Sequence, residues 1–176
     1  MLYLDVDGVL NPDEQAPDTW PDWRRKSFRI NMGGGLLRKL NIDWSPAMVE
    51  ALWDVTGGAI SWQTSWNESY KRTTYASELL SPLFGWPELP HPVGPIYEDH
   101  DPNPETGQWW KLTNLKRWLL PFDADHGPFV WVDDDFAFEP EAVEWVEAHG
   151  GLAIITNPEV GLVPAHINQI GHFLRR

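Results

Sequence analysis

The stretch Met1-Leu-Tyr-Leu-Asp-Val-Asp-Gly-Val-Leu10 decides how the rest of the chain is read. A short apolar run leads into two acids and a glycine. Such a run fits a strand buried on both faces, with its carboxyl end opening into a loop. Asp5 and Asp7 stand two residues apart, so on an extended chain they face the same side. A pair of this kind holds a hard cation through oxygen. It can also divide labour, one carboxylate attacking phosphorus while the other, protonated, feeds the leaving group. Gly8 permits a sharp turn where backbone N–H groups face an anion. Alone, the segment also fits a solvated acidic turn.

Working outward, residues 11–23 are rich in Pro and Asp and read as irregular. Lys26–Asn31 and Leu36–Ile42 flank Met32-Gly-Gly-Gly35, which predicts a hairpin. Ser45-Pro46 starts a helix, with Ser as N-cap and Pro in the first position; it runs to Val55 and stops near Gly57-Gly58. Ala59–Thr64 reads as a second buried strand. Trp66–Leu80 reads as a helix with Pro82 beyond its end, and Val93–Tyr97 as a short edge strand. Lys111–Leu120 is a helix ended by Pro121. Phe129–Val132 is a strand running into Asp133-Asp134-Asp135. Pro140–Ala148, Leu152–Ile155 and Pro164–Leu174 follow as helix, strand and helix. This alternation predicts a three-layer, Rossmann-like α/β fold with a mostly parallel sheet. The expected organisation is one domain over residues 1–176, with a small hairpin flap inserted at about 11–44 and no large cap.

In such sheets ligands bind beyond the carboxyl ends of the strands. Asp5, Asp7, Thr64 and Asp133–Asp135 all fall there. A hydroxyl at Thr64 can donate to a phosphate oxygen. Lys111, at a helix start, can neutralise both a phosphate and an attacking carboxylate. The Asp133 run, directly after a buried strand, is a ready magnesium site. Each feature alone also has a plain reading, as a turn residue, a surface lysine or a solvated acidic run.

Together they carry a resemblance. Asp5-Val-Asp-Gly-Val-Leu-Asn11, the strand ending in Thr64, Lys111 and Val132-Asp-Asp-Asp135 resemble, in order, the four motifs of the haloacid dehalogenase (HAD) superfamily. More narrowly, Trp62-Gln-Thr-Ser-Trp66, Trp110-Lys-Leu112, Trp131-Val-Asp-Asp-Asp135 and Gly161-Leu162 are similar to the HAD domain of Swiss-Army-knife RNA repair proteins. The chain departs from that pattern after Trp66, where Asn67-Glu-Ser-Tyr70 replaces an Ala-Asn pair. The resemblance implies a phosphatase that passes through an aspartyl-phosphate. Asp5 is then the nucleophile, Asp7 the general acid and base, and Thr64 and Lys111 the groups that hold the phosphoryl. It implies Mg2+ bound by Asp5, the backbone carbonyl of Asp7 and an acid of the fourth motif. Asp134 is favoured as direct ligand with Asp133 supporting, although Asp135 leaves the register open.

Composition narrows the substrate. The net charge is −13, yet six of the 13 Lys and Arg lie between Arg24 and Lys39. Arg24, Arg25, Lys26 and Arg29 are the candidate substrate-binding residues: a basic patch in an acidic protein offers a local anion site. The expected partner is a phosphorylated substrate, a nucleotide or a nucleic-acid end. Trp23 and Phe28 either stack on a base or pack beneath the hairpin. A non-catalytic HAD-like module that binds metal or nucleic acid is the alternative. The chain has no Cys, which excludes thiol chemistry and Cys-ligated metals, and its six His show no zinc-site spacing. No apolar run approaches the ~20 residues of a membrane span. Asp5 and Asp7 interrupt the place where a signal peptide needs an apolar core. A cytoplasmic protein without a membrane partner is expected.

Overall fold

The computed structural model describes residues 1–13, 19–31, 37–67, 75–92, 102–103, 105–119 and 127–176. Four strands, β1 (Leu2–Leu4), β4 (Ile60–Trp62), β5 (Val130–Asp133) and β6 (Leu152–Ile155), form a parallel sheet in the order β4-β1-β5-β6. The chain runs from β1 to β4 on one side, then returns across β1 to build β5 and β6 on the other. The order therefore reverses at β1, and the crevice beyond its carboxyl end is the topological switch point of the sheet.

The alternation of side chains sets the layers. Leu2, Leu4, Val130 and Val132 enter one hydrophobic cluster with Leu52, Ile167 and Ile170, so α1 (Pro46–Thr56) and α5 (Pro164–Leu174) cover that face. Tyr3 and Trp131 point the other way. They join Leu112, Leu115, Ala142 and Val146, so α3 (Trp110–Leu119) and α4 (Pro140–Ala148) cover the second face. This is the three-layer α/β arrangement of the HAD-like, Rossmann-type fold. A separate antiparallel pair, β2 (Arg24–Asn31) and β3 (Leu37–Trp44), makes the small hairpin, with Arg24 opposite Trp44 and Asn31 opposite Leu37. Its buried residues Ile30, Ile42 and Trp44 and its half-buried Phe28 lie on one face, and Phe28, Ile42 and Trp44 reach the first cluster.

Local signals explain several boundaries. The Ser45 hydroxyl accepts from Met48 N at 3.2 Å, capping α1 as expected. Gly57 ends that helix in the left-handed region, at φ 59°. The expectation for Trp66–Leu80 needs correction. Thr64–Asn67 form a turn rather than a helix start, residues 68–74 lie outside the described set, and helix resumes as a π-type turn over Ala76–Leu80. It continues through α2 (Ser81–Phe84), so Pro82 lies inside it. The reason is positional. The proline stands where the π-type turn gives way to α-helix, in the first turn of α2. The expected strand at Val93–Tyr97 and the hairpin turn at Met32–Gly35 also lie outside the described residues.

Candidate active site

Asp5 follows β1 and Asp133 ends β5, and the two strands are neighbours in register, Leu4 beside Val132. The backbone N–H of Asp5 donates to Val132 O at 3.2 Å. Two carboxylates are thereby fixed side by side at the switch point. Lys111, in the first turn of α3, reaches both from the other layer. Its Nζ lies 2.5 Å from Asp5 Oδ2, 2.9 and 3.0 Å from the two oxygens of Asp133, and 3.3 Å from Asp135 Oδ2. Its stem is buried, and its ammonium stands 5.0 Å from the Trp109 ring centroid, a cation–π contact. Trp109 in turn stacks on Trp131 at 5.3 Å. Gln63, just after β4, donates to Lys111 O at 2.7 Å and ties the start of α3 to the sheet edge.

The two fully engaged aspartates differ in their partners. Asp133 accepts from Lys111, from the Trp131 indole at 3.1 Å and from Asp135 N at 3.2 Å. Asp5 accepts from Lys111 and, through Oδ1, from Val6 N at 2.7 Å. Burial raises the pKa of both, opposed by the lysine, and the neighbouring acids add to the rise. For Lys111, burial alone would lower the pKa, but Asp133, Asp5 and Asp135 together push it well up, so the ammonium stays charged. Asp134 is pushed up to about 7 by partial burial and then by Asp5 and Asp135.

Oxygens of Asp5, Asp133 and Asp134 converge within 4.8 Å of one another. Asp134 is brought there by Gly8. The glycine sits at φ 65°, and a Cβ on it would stand 2.5 and 2.6 Å from the Asp134 carboxylate oxygens, so only glycine leaves room. Three carboxylates, Asp5, Asp133 and Asp135, thus share the Lys111 ammonium, and Asp134 adds a fourth negative group beside Asp5 and Asp133. All-oxygen donors with this excess of negative charge fit a hard divalent cation such as Mg2+, which is held by few carboxylates and keeps several waters.

Asp7 takes another direction. Its Oδ1 accepts from Asn11 Nδ2 at 2.6 Å and its Oδ2 from the Trp66 indole at 2.7 Å. Its carboxylate is therefore outside the three-acid group; its backbone carbonyl remains the atom expected at a cation. Thr64 is buried in the turn that follows β4, and its hydroxyl accepts from Trp66 N at 3.3 Å, leaving its own proton to donate. The C-terminal loop braces this region: Thr156 Oγ1 donates to Gly8 O at 2.8 Å and Leu162 N to Val9 O at 2.9 Å. Gly161, at φ 70°, lets that loop close, since a Cβ there would lie 2.5 Å from Val9 O.

The chain matches, over residues 1–167, the family described as the HAD domain in Swiss Army Knife RNA repair proteins. It belongs to that family. No curated protein and no solved structure matches it. As a member of the HAD superfamily it carries a hydrolase framework, and the acid cluster beyond β1 and β5 occupies the switch point of that framework.

The basic hairpin of this HAD domain is less uniform than its sequence. Arg25 is engaged by Asp43, at 2.7 and 2.6 Å. Asp43 N donates to Asn11 Oδ1 at 2.8 Å, so the hairpin root reaches Asp7 through Asn11. Arg24, on the opposite face of β2, lines a cavity of about 430 Å³ with Trp44, Val49, Trp53, Phe84 and Trp86, and none of the acid cluster lines it. Lys26 and Arg29 are exposed. Arg29 stands four residues beyond Arg25, ~13 Å farther along the strand at ~3.3 Å per residue. Trp23 and Phe28 pack against the core, which is the second of their two expected roles. The sequence reading gave no role to Asn11, Gln63, Trp66 or the Trp131 indole. Each lies within a motif stretch, but that position does not say which atom it will hold.

Proposed function

We propose that this chain is a Mg2+-dependent phosphoric monoester hydrolase that acts through an aspartyl-phosphate on Asp5. One observation carries the reading: a buried Asp5–Lys111–Asp133 ion cluster with Asp134 packed on Gly8, at the carboxyl edge of β1 and β5. Asp5 Oδ attacks phosphorus while the bond to the leaving oxygen breaks, and Asp7 protonates that oxygen. Water then attacks the phosphorus of the aspartyl-phosphate, Asp7 takes the water's proton, and phosphate and Asp5 are released. Lys111 turns a proton from Asp135, its longest contact, toward the phosphoryl oxygens, and the Thr64 hydroxyl donates from the β4 side. Asp5, Asp134 and the Asp7 backbone carbonyl would hold Mg2+, with Asp133 supporting through Lys111. The cation supplies charge neutralisation for a phosphate dianion in an acidic pocket.

The substrate we propose is a nucleotide or the terminal phosphate of a nucleic acid. The hairpin root, with Arg25 linked to Asp7 through Asp43 and Asn11, supports it, as does a family whose domain is found in RNA repair proteins. Residues 11–44 place only this hairpin beside the site as regular structure among the described residues, which suits a large substrate.

The test is release of phosphate from nucleotides, from oligonucleotides with 5′ or 3′ phosphates and from sugar phosphates, with and without Mg2+. Activity that needs Mg2+ and disappears in a folded Asp5→Asn protein is expected. An active Asp5→Asn protein would sink the mechanism, and a preference for sugar phosphates would sink the substrate.

A further inference from the structure

Asp7 is held from two sides by donors that share no element. Asn11 closes the loop after β1: its backbone oxygen accepts from Gly8 N at 3.0 Å, and its side-chain oxygen from Asp43 N at 2.8 Å. That leaves its Nδ2 to meet Asp7 Oδ1 at 2.6 Å. Trp66 follows β4. Its ring is buried in the first hydrophobic cluster, so its indole N–H is aimed by packing, and it meets Asp7 Oδ2 at 2.7 Å. Asp7 is itself exposed. An exposed carboxylate is otherwise free in both side-chain torsions and gives up that freedom when it acts. Donors on both oxygens fix the plane of the carboxyl group. They also leave each oxygen a further lone-pair site, so a proton carried there has a set direction.

We propose that Trp66 and Asn11 are positioning residues that orient the Asp7 carboxyl for proton transfer, an assignment that rests on the phosphatase reading above. In the first step the Asp7 O–H bond breaks, and its proton joins the electron pair left by the breaking P–O bond. In the second step an Asp7 oxygen takes a proton from water as the new O–P bond forms and the Asp5–phosphorus bond breaks. The indole and amide N–H groups keep their protons throughout and act only on geometry. Asn11 also extends this control to the hairpin, since its other side-chain atom is bound by Asp43 of β3.

The signature is in the leaving group. Dinitrophenolate departs without help, whereas phenolate needs the proton, so loss of acid catalysis falls on phenyl phosphate. The experiment measures kcat/KM, which reports the step that expels the leaving group, with Mg2+ for 2,4-dinitrophenyl, p-nitrophenyl and phenyl phosphate on the wild-type chain, Trp66→Phe and Asn11→Asp. Trp66→Phe keeps a ring in the core and removes the N–H. Asn11→Asp keeps the acceptor for Asp43 N and replaces the donor. Each variant should lower the ratio of phenyl to dinitrophenyl kcat/KM about 10-fold, the order expected for one hydrogen bond to a charged group. Because both rates come from one preparation, any unfolded fraction cancels in the ratio. An unchanged ratio in both variants overturns the assignment and leaves the phosphatase reading intact. A wild-type chain inactive on all three esters overturns that reading and this assignment with it.

Discussion

Lys111 and Arg25 each bind aspartate, one inside the molecule and one at its surface. The Lys111 side chain is 4% exposed and its partner Asp133 0%. The Arg25 side chain is 65% exposed against 11% for Asp43. Their contact distances do not separate them: 2.5 Å to Asp5 and 2.9 Å to Asp133 for Lys111, and 2.6 Å to Asp43 for Arg25. Surroundings do. At the surface, water reaches the exposed guanidinium and screens the pair. In the cluster no water stands in for a lost partner, so each charge depends on the others. A short distance measures contact, and burial decides what the contact means.

The most severe way to probe this contrast is Lys111→Met. It removes the one cation bonded to Asp5, Asp133 and Asp135 among the described residues. Loss of about 3–5 kcal/mol in denaturant unfolding is expected, together with loss of phosphatase activity. Unchanged stability would mean the acids are already neutral and would break the comparison.

The next effect is of pH on the cluster itself. Asp134 is pushed from 3.8 to about 7, and Asp5 and Asp133 are raised as well. A folded chain that keeps protons longer than the unfolded one loses stability as pH rises between those values. The metal-free protein should therefore melt at lower temperature as pH climbs from 3.8 to about 7. Mg2+ should restore it more at the upper end than at the lower, because cation and proton compete for the same oxygens. Melting curves at several pH values, with and without Mg2+, check both signs.

The smallest effect is expected at the surface. Arg25→Ala should leave the melting midpoint nearly where it was. It should raise KM for a phosphorylated oligonucleotide a few-fold and leave KM for p-nitrophenyl phosphate alone. A large stability loss would place this pair with the buried one and remove the contrast.

Much of the fold was legible because its signals are local. The apolar runs before Asp5 and Asp133, the Ser45 cap and the glycines ending α1 each act within a few residues. The turn and π-type segment between Thr64 and Leu80 were not legible. Helical periodicity across them is broken by the hydrogen bonds that Trp66 and Asn67 make instead, Asn67 Oδ1 accepting from Ala76 N at 2.9 Å. The basic residues of the hairpin looked like one patch in sequence, yet strand alternation sends Arg24 and Arg25 to opposite faces.

By itself the sequence determined the α/β alternation and the chemistry available at the strand ends: Asp5, Asp7, Thr64, Lys111 and the Asp133 run. Only the tertiary structure decided which of these meet. Lys111 comes 106 residues after Asp5 and meets it because α3 packs over β1 and β5. Asp134 enters the cluster because Gly8 has no side chain to exclude it, and Asp7 turns away because Trp66 and Asn11 hold it. The physical reason is range. Propensity and patterning act over neighbouring residues, whereas burial brings distant charges together and makes their pairing count.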